Sequence, residues 1–205
     1  MLASLIAYTI AAALLTITPG ADTLLVVRYA GGRGGRAGLG AAAGVCLGTL
    51  VWGVIVAVGV AALIVASPLL FTLLKWAGAA YLVWLGMTLL LPKPDRPGAD
   101  TSPSPLKAGS PFASGLLTNL LNPKVGVFYL AFLPQFIPPG VPQAPFILLL
   151  AAIHSTLGLI WFAILIAGVD RAATRLRNSR ASDILAKFTG ILFVGFGARL
   201  LFSSR

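Results

Sequence analysis

The stretch that decides the fold is Gly115-Leu116-Leu117-Thr118-Asn119-Leu120-Leu121-Asn122-Pro123-Lys124, continuing into Val125-Gly126-Val127-Phe128-Tyr129-Leu130. Both flanks are apolar enough for a bilayer, yet the middle holds two amides, a proline and a lysine. A charged side chain at the centre of a membrane helix costs about 2.5–3.5 kcal/mol on insertion scales. Pro123 denies the helix a backbone donor and crowds the preceding turn. Carbonyls left without partners cannot be satisfied by lipid. Such a stretch is stable only against protein or a wet cavity, and we read it as part of a transport pathway.

Composition sets the environment. Of 205 residues, 58% are hydrophobic and only 10% charged, where a soluble chain carries about a quarter charged residues. No Asp, Glu, Lys or Arg occurs between Ala37 and Leu74 or between Val125 and Val169. Each run exceeds the roughly 20 residues one span needs. The chain is therefore expected to be an all-α integral membrane protein. Its net charge of +10 follows from basic residues collecting in cytoplasmic loops, so no nucleic-acid partner is expected. The apolar N-terminal segment lacks the basic start of a cleaved signal and is read as a permanent helix.

Six spans fit, near 3–27, 38–66, 69–91, 112–134, 144–169 and 184–203. Loop one carries Arg28, Arg33 and Arg36, loop three Lys93, Arg96 and Lys107, and loop five Arg171, Arg175, Arg177 and Arg180, while loops two and four carry no charge. Odd loops are then cytoplasmic and both termini outside, with only Arg199 and Arg205 opposing. The glycine-rich loop Gly31 to Arg36 lacks the strand and the Gly-Lys-Ser/Thr ending of a phosphate cradle, and is read as a flexible turn near anionic headgroups. Gly40, Gly44 and Gly48 form a smooth helical stripe for close packing.

Residues 92–111 hold six prolines and read as a cytoplasmic linker between two three-span halves, 1–91 and 112–205. The halves resemble each other. Lys75-Trp76-Ala77-Gly78 and Tyr81-Leu82-Val83-Trp84 match Lys187-Phe188-Thr189-Gly190 and Phe193-Val194-Gly195-Phe196 in register. Thr18-Pro19-Gly20 and Asn122-Pro123-Lys124 interrupt the first and fourth spans. The offsets, 112 residues from Lys75 to Lys187 and 104 from Pro19 to Pro123, suit repeats with unequal loops. An odd number of spans per repeat inverts the second copy, and matched broken helices in inverted repeats point to a transporter's binding site.

The residues that can carry chemistry cluster at those breaks. Asp22 is either wetted at the cytoplasmic end of the first span or lines a cavity opened by Pro19 and Gly20. Burial favours a neutral carboxyl and a nearby cation favours the anion, so a balanced Asp22 can cycle a proton. Lys124, near mid-membrane, is expected to pair with Asp22 or with a substrate carboxylate. Asn119, Asn122, Thr16 and Thr18 supply donors and acceptors there, though asparagines also simply tie helices together. His154, mid-span, is a hydrogen-bonded packing residue or a proton relay. Cys46 reads as a packed, inert thiol, Lys75 as snorkelling from the outer end of its span, and Trp76, Tyr81, Trp84 and Trp161 as packing and interface anchors. With no glutamate and one histidine, neither a multi-histidine metal set nor a catalytic triad can be assembled. Adjacent Ser155 and His154 point in different directions on one helix.

These motifs resemble the lysine exporter (LysE) family of amino-acid exporters, in particular its threonine/homoserine-type branch. The family's Thr-Pro-Gly-Pro-Asp/Asn element is matched by Thr18-Pro19-Gly20-Ala21-Asp22, and its Asn-Pro-Lys element by Asn122-Pro123-Lys124 followed by Pro134-Gln135-Phe136. The Lys75 to Gly86 stretch is also similar. Ala21 stands where the family usually has proline, which relaxes the first break. The resemblance implies a six-helix, dimeric inner-membrane protein that expels amino acids or related metabolites using the proton gradient and no cofactor. A single carboxylate near the site favours small neutral amino acids over basic ones. A cation exporter is the alternative within transport, but it would want several hard or thiolate ligands at one depth. A non-transport scaffold is the alternative outside transport, and it has no use for a mid-membrane lysine beside a proline.

Overall fold

The computed structural model describes residues 1–66 and 110–168, with single helical positions between 73 and 90 and between 187 and 198. Most of the expected third and sixth spans, with most of the Lys75/Lys187 repeat, nearly all of the 92–111 linker and loop five, fall outside the described residues. Within them the chain is all helical, with no strand. Helix α1 (Leu2–Ile17) and α2 (Ala21–Arg33) meet at a 52° bend. α3 (Gly35–Ala66) follows, then α4 (Pro111–Leu120) and the short α5 (Pro123–Val127), and then a π-helical turn over Phe128–Phe132 and a 3₁₀ turn over Leu133–Phe136. α6 (Gln143–Ala167) ends the described region.

α3 and α6 are each long and apolar enough to cross a membrane. The pairs α1/α2 and Pro111–Leu120/Pro123–Phe136 pass the same test as bent spans, the second bent by 50°. The segments expected as the first and fourth spans are thus broken where Pro19 and Pro123 interrupt them. Departure from proline at residue 21 does not remove the first break. Ala21 is the first residue of α2, a position that tolerates proline without requiring it, and Pro19 with extended Gly20 suffices.

The glycine-rich segment is not the open turn that its composition suggests. α2 runs through Arg33, α3 starts at Gly35, and Gly34 alone turns the chain at φ 84°, a conformation glycine adopts without a Cβ penalty. The corner is tight because a Cβ at Gly38 would lie 2.7 Å from the Ala30 Cβ.

The glycine stripe on α3 meets α4. A Cβ at Gly44 would overlap the Phe112 carbonyl oxygen, and one at Gly115 the Ala41 carbonyl oxygen. The two backbones are in contact, as small residues permit between membrane helices. α3 packs most extensively on α4 and α6, helped by the Ser155 hydroxyl donating to the Cys46 carbonyl at 3.2 Å. Tyr29 and Ser114 hydroxyls, 2.9 Å apart, join α2 to α4. One core gathers Tyr8, Phe128, Phe132 and Leu150 between α1, the π turn and α6, and a second gathers Val26, Val45 and Phe162 between α2, α3 and α6. Ile6, Ile10, Leu24, Leu47, Val54 and Ile160 face outward, as lipid-facing positions do. The breaks lie between the two cores.

Candidate functional site

At the first break, backbone chemistry comes first. In an unbroken helix the Leu15 carbonyl would accept from the N–H of residue 19, and Pro19 has none. The chain leaves the helix at Thr18 (φ −64°, ψ 118°) and re-enters it after Gly20. The Thr18 hydroxyl donates to the Leu14 carbonyl at 2.6 Å. The Leu15 carbonyl finds its donor in the other half of the protein: Lys124 Nζ donates to it at 3.2 Å and to the Thr18 carbonyl, also at 3.2 Å.

The second break obeys the same rule. The Asn119 carbonyl would accept from residue 123, again a proline. It accepts instead from the Asn122 backbone N–H at 3.1 Å and, more weakly, from Trp52 Nε1 at 3.4 Å. Asn122 caps α5, its Oδ1 accepting from the Lys124 backbone N–H at 3.1 Å. That use of Oδ1 leaves Nδ2 to donate elsewhere, and it donates to Asp22 Oδ2 at 3.2 Å. Asn119 Nδ2 donates to the same oxygen at 2.9 Å. Asp22 sits in the first turn of α2, where the helix dipole favours negative charge.

The expected Asp22–Lys124 ion pair is therefore not formed. Each charged group answers the break of the opposite half, Lys124 the carbonyl end of α1 and Asp22 the amides around Pro123. The Leu15 carbonyl, which Pro19 deprives of its helical donor, takes the ammonium, while both amides converge on one carboxylate oxygen, Asp22 Oδ2.

Thr18, Gly20, Asp22, Asn119, Asn122, Lys124 and His154 all line one cavity, with Thr16, Leu15, Thr23, Val45, Cys46, Thr49, Val125, Gly158 and Phe162. Pro19 and Pro123 shape its walls without lining it. It offers about 40 Å³ of room for water centres, more than the roughly 10–15 Å³ one water needs and too little for an amino acid. Asn119 (1% exposed) and His154 (6%) are buried. Asp22 Oδ1 and Asn119 Oδ1 are buried without a hydrogen-bond partner among the described residues.

His154 Nδ1 lies 3.2 Å from the Tyr129 hydroxyl, with the two rings stacked at 5.7 Å between centroids. Tyr129 belongs to the π-helical turn, a feature common at functional sites. Sequence reasoning misses Tyr129, Trp52, Thr23, Thr49 and the cavity-facing position of Cys46. For Cys46, Thr49 and Trp52 a signal exists, since they follow the glycine stripe at helical spacing on α3. For Tyr129 none does, because the π turn breaks the periodicity.

Residues 13–204 match the family model described as LysE type translocator. The chain belongs to this translocator family. The translocator is 37% identical to an uncharacterised membrane protein, YrhP, of Bacillus subtilis, covering 96% of this chain and 97% of the relative. It is 34% identical to an uncharacterised membrane protein of Pseudomonas aeruginosa, over 94% of this chain and 92% of the relative. It is also 32% identical to a protein named leucine efflux protein in Salmonella typhimurium, again over 94% and 92%. No solved structure matches. Membership makes the molecule a membrane transport protein. Among the described residues no three His, Cys, Asp or Glu side chains are grouped to hold a metal ion.

Proposed function

We propose that this translocator exports small neutral amino acids from the cytoplasm across the inner membrane, in exchange for protons and without a cofactor. The observation that carries this reading is that one carboxylate and one ammonium line a single cavity without neutralising each other. A zwitterion carries the complementary pair. Its carboxylate can draw Lys124 away from the Leu15 and Thr18 carbonyls, and its ammonium can donate to the unpartnered Asp22 Oδ1 and Asn119 Oδ1. Leu15, Val45, Val125 and Phe162 supply apolar wall for an aliphatic side chain, in keeping with the leucine efflux relative. With one carboxylate at the site, a lysine or arginine substrate would leave its second cation unpaired, at a high desolvation cost.

In this reading the cavity opens by movement of the half-helices about Pro19 and Pro123, and Asp22 carries the proton when the substrate ammonium leaves it. The energetics suffice. One charge moving through about 100 mV releases roughly 2.3 kcal/mol, and a hundredfold gradient costs about 2.8 kcal/mol, so one proton with a modest pH difference drives export. Basic residues in loops one, three and five support cytoplasmic odd loops and external termini.

The test loads cells with dipeptides and follows the residues expelled. Leucine-like neutral amino acids should leave fastest, and Asp22→Asn and Lys124→Met should each abolish the excess efflux. Wild-type efflux from both variants would overturn the assignment.

A further inference from the structure

We propose that the ammonium of Lys124 is the tethered occupant of a monovalent-cation site at the carbonyl end of α1, so that the protein assembles its first break without a dissociable alkali ion. The ligands are in place. The Leu15 carbonyl has lost its helical donor to Pro19, and the Thr18 carbonyl lies past the helix end; both receive Nζ at 3.2 Å. The C-terminal end of a helix carries partial negative charge. Unwound carbonyls and half-helix C-termini of this kind coordinate small cations in secondary transporters. The Asp22 carboxylate lines the same cavity, which supplies one formal negative charge and matches a charge of one rather than two.

A lysine ammonium has three donors, of which two are spent on the carbonyls, leaving one directed elsewhere. A Cβ built on Gly20 would stand 3.8 Å from Nζ, so the Gly20 backbone borders the ammonium. The tether comes from the other half of the chain, beside Pro123. Movement at the second break therefore withdraws the cation from the first, and the two breaks are coupled by one side chain. This coupling deepens the export reading and rests on it, but the cation site itself does not, which the experiment exploits.

Lys124→Ala is purified in detergent and melted in sodium, potassium or choline chloride at equal ionic strength. Wild type should melt at one temperature in all three. The variant should melt lowest in choline and rise saturably by about 2–4 °C in sodium or potassium at several times the Kd, and methylammonium should act likewise. Equal melting of the variant in all three salts overturns the proposal. If Lys124→Ala does not accumulate, Lys124→Ser, which leaves a hydroxyl beside the same carbonyls, is melted in the same salts. A saturable rise in sodium or potassium then supports the cation site, and equal melting in all three salts overturns it. Melting requires no transport, so a salt response in the variant together with a wild-type protein that exports no amino acid refutes only the export reading.

Discussion

Asn122 performs two tasks with one amide, and substitutions can separate them. Its Oδ1 caps α5 at 3.1 Å and its Nδ2 donates to Asp22 at 3.2 Å. Loss of an N-cap costs about 0.5–2 kcal/mol, and loss of a hydrogen bond to a charged group about 1.5–3 kcal/mol. Asn122→Ala removes both and should destabilise by about 2–5 kcal/mol, in the lower half of that range because both contacts are long. Asn122→Ser retains a capping oxygen and loses only the donor, so about 1.5–3 kcal/mol is expected. In an Asp22→Asn background the carboxylate is gone, and Asn122→Ala should cost at least about 0.5 kcal/mol less than in wild type. The assay is equilibrium unfolding in mixed micelles with increasing SDS. Additivity of Asp22→Asn and Asn122→Ala to within about 0.3–0.5 kcal/mol, or equal costs for the Ser and Ala variants, would refute the two-task account.

Two further outcomes follow from the breaks and the packing. Pro19→Ala restores an N–H opposite the Leu15 carbonyl and competes with Lys124, so the 52° bend should shrink. Melting temperature should hold or rise while efflux falls about tenfold, the equivalent of 1.4 kcal/mol; undiminished efflux would count against the break as a working part. Gly44→Leu forces a side chain into the Phe112 carbonyl and the Leu116 N–H and should cost at least about 1–3 kcal/mol, read as loss of monodisperse protein on size exclusion. Gly59→Leu, whose added Cβ meets nothing within 4 Å among the described residues, should behave as wild type, and equal behaviour of the two variants would contradict the α3–α4 contact.

Much of this protein follows from residue chemistry that no packing can alter. Uncharged apolar runs such as 37–74 admit a membrane and little else, and within lipid the backbone must be helical. Proline lacks its N–H wherever it stands, so Pro19 and Pro123 interrupt their helices and orphan the Leu15 and Asn119 carbonyls regardless of context. Glycine every fourth residue on α3 announces a close neighbour. The partners in each case were settled only by tertiary structure. Opposite charge made Asp22 and Lys124 look like a pair, but crossing of the two bent spans brings the ammonium to carbonyls and the carboxylate to amides. Arg33 and its glycines read as a loop, yet the Ala30–Gly38 contact keeps them helical up to Gly34. Tyr129 reaches His154 through a π turn, whose phase shift leaves no periodic trace. Local covalent facts decide where a helix must break, whereas which group repairs it depends on what long-range packing brings within about 3 Å.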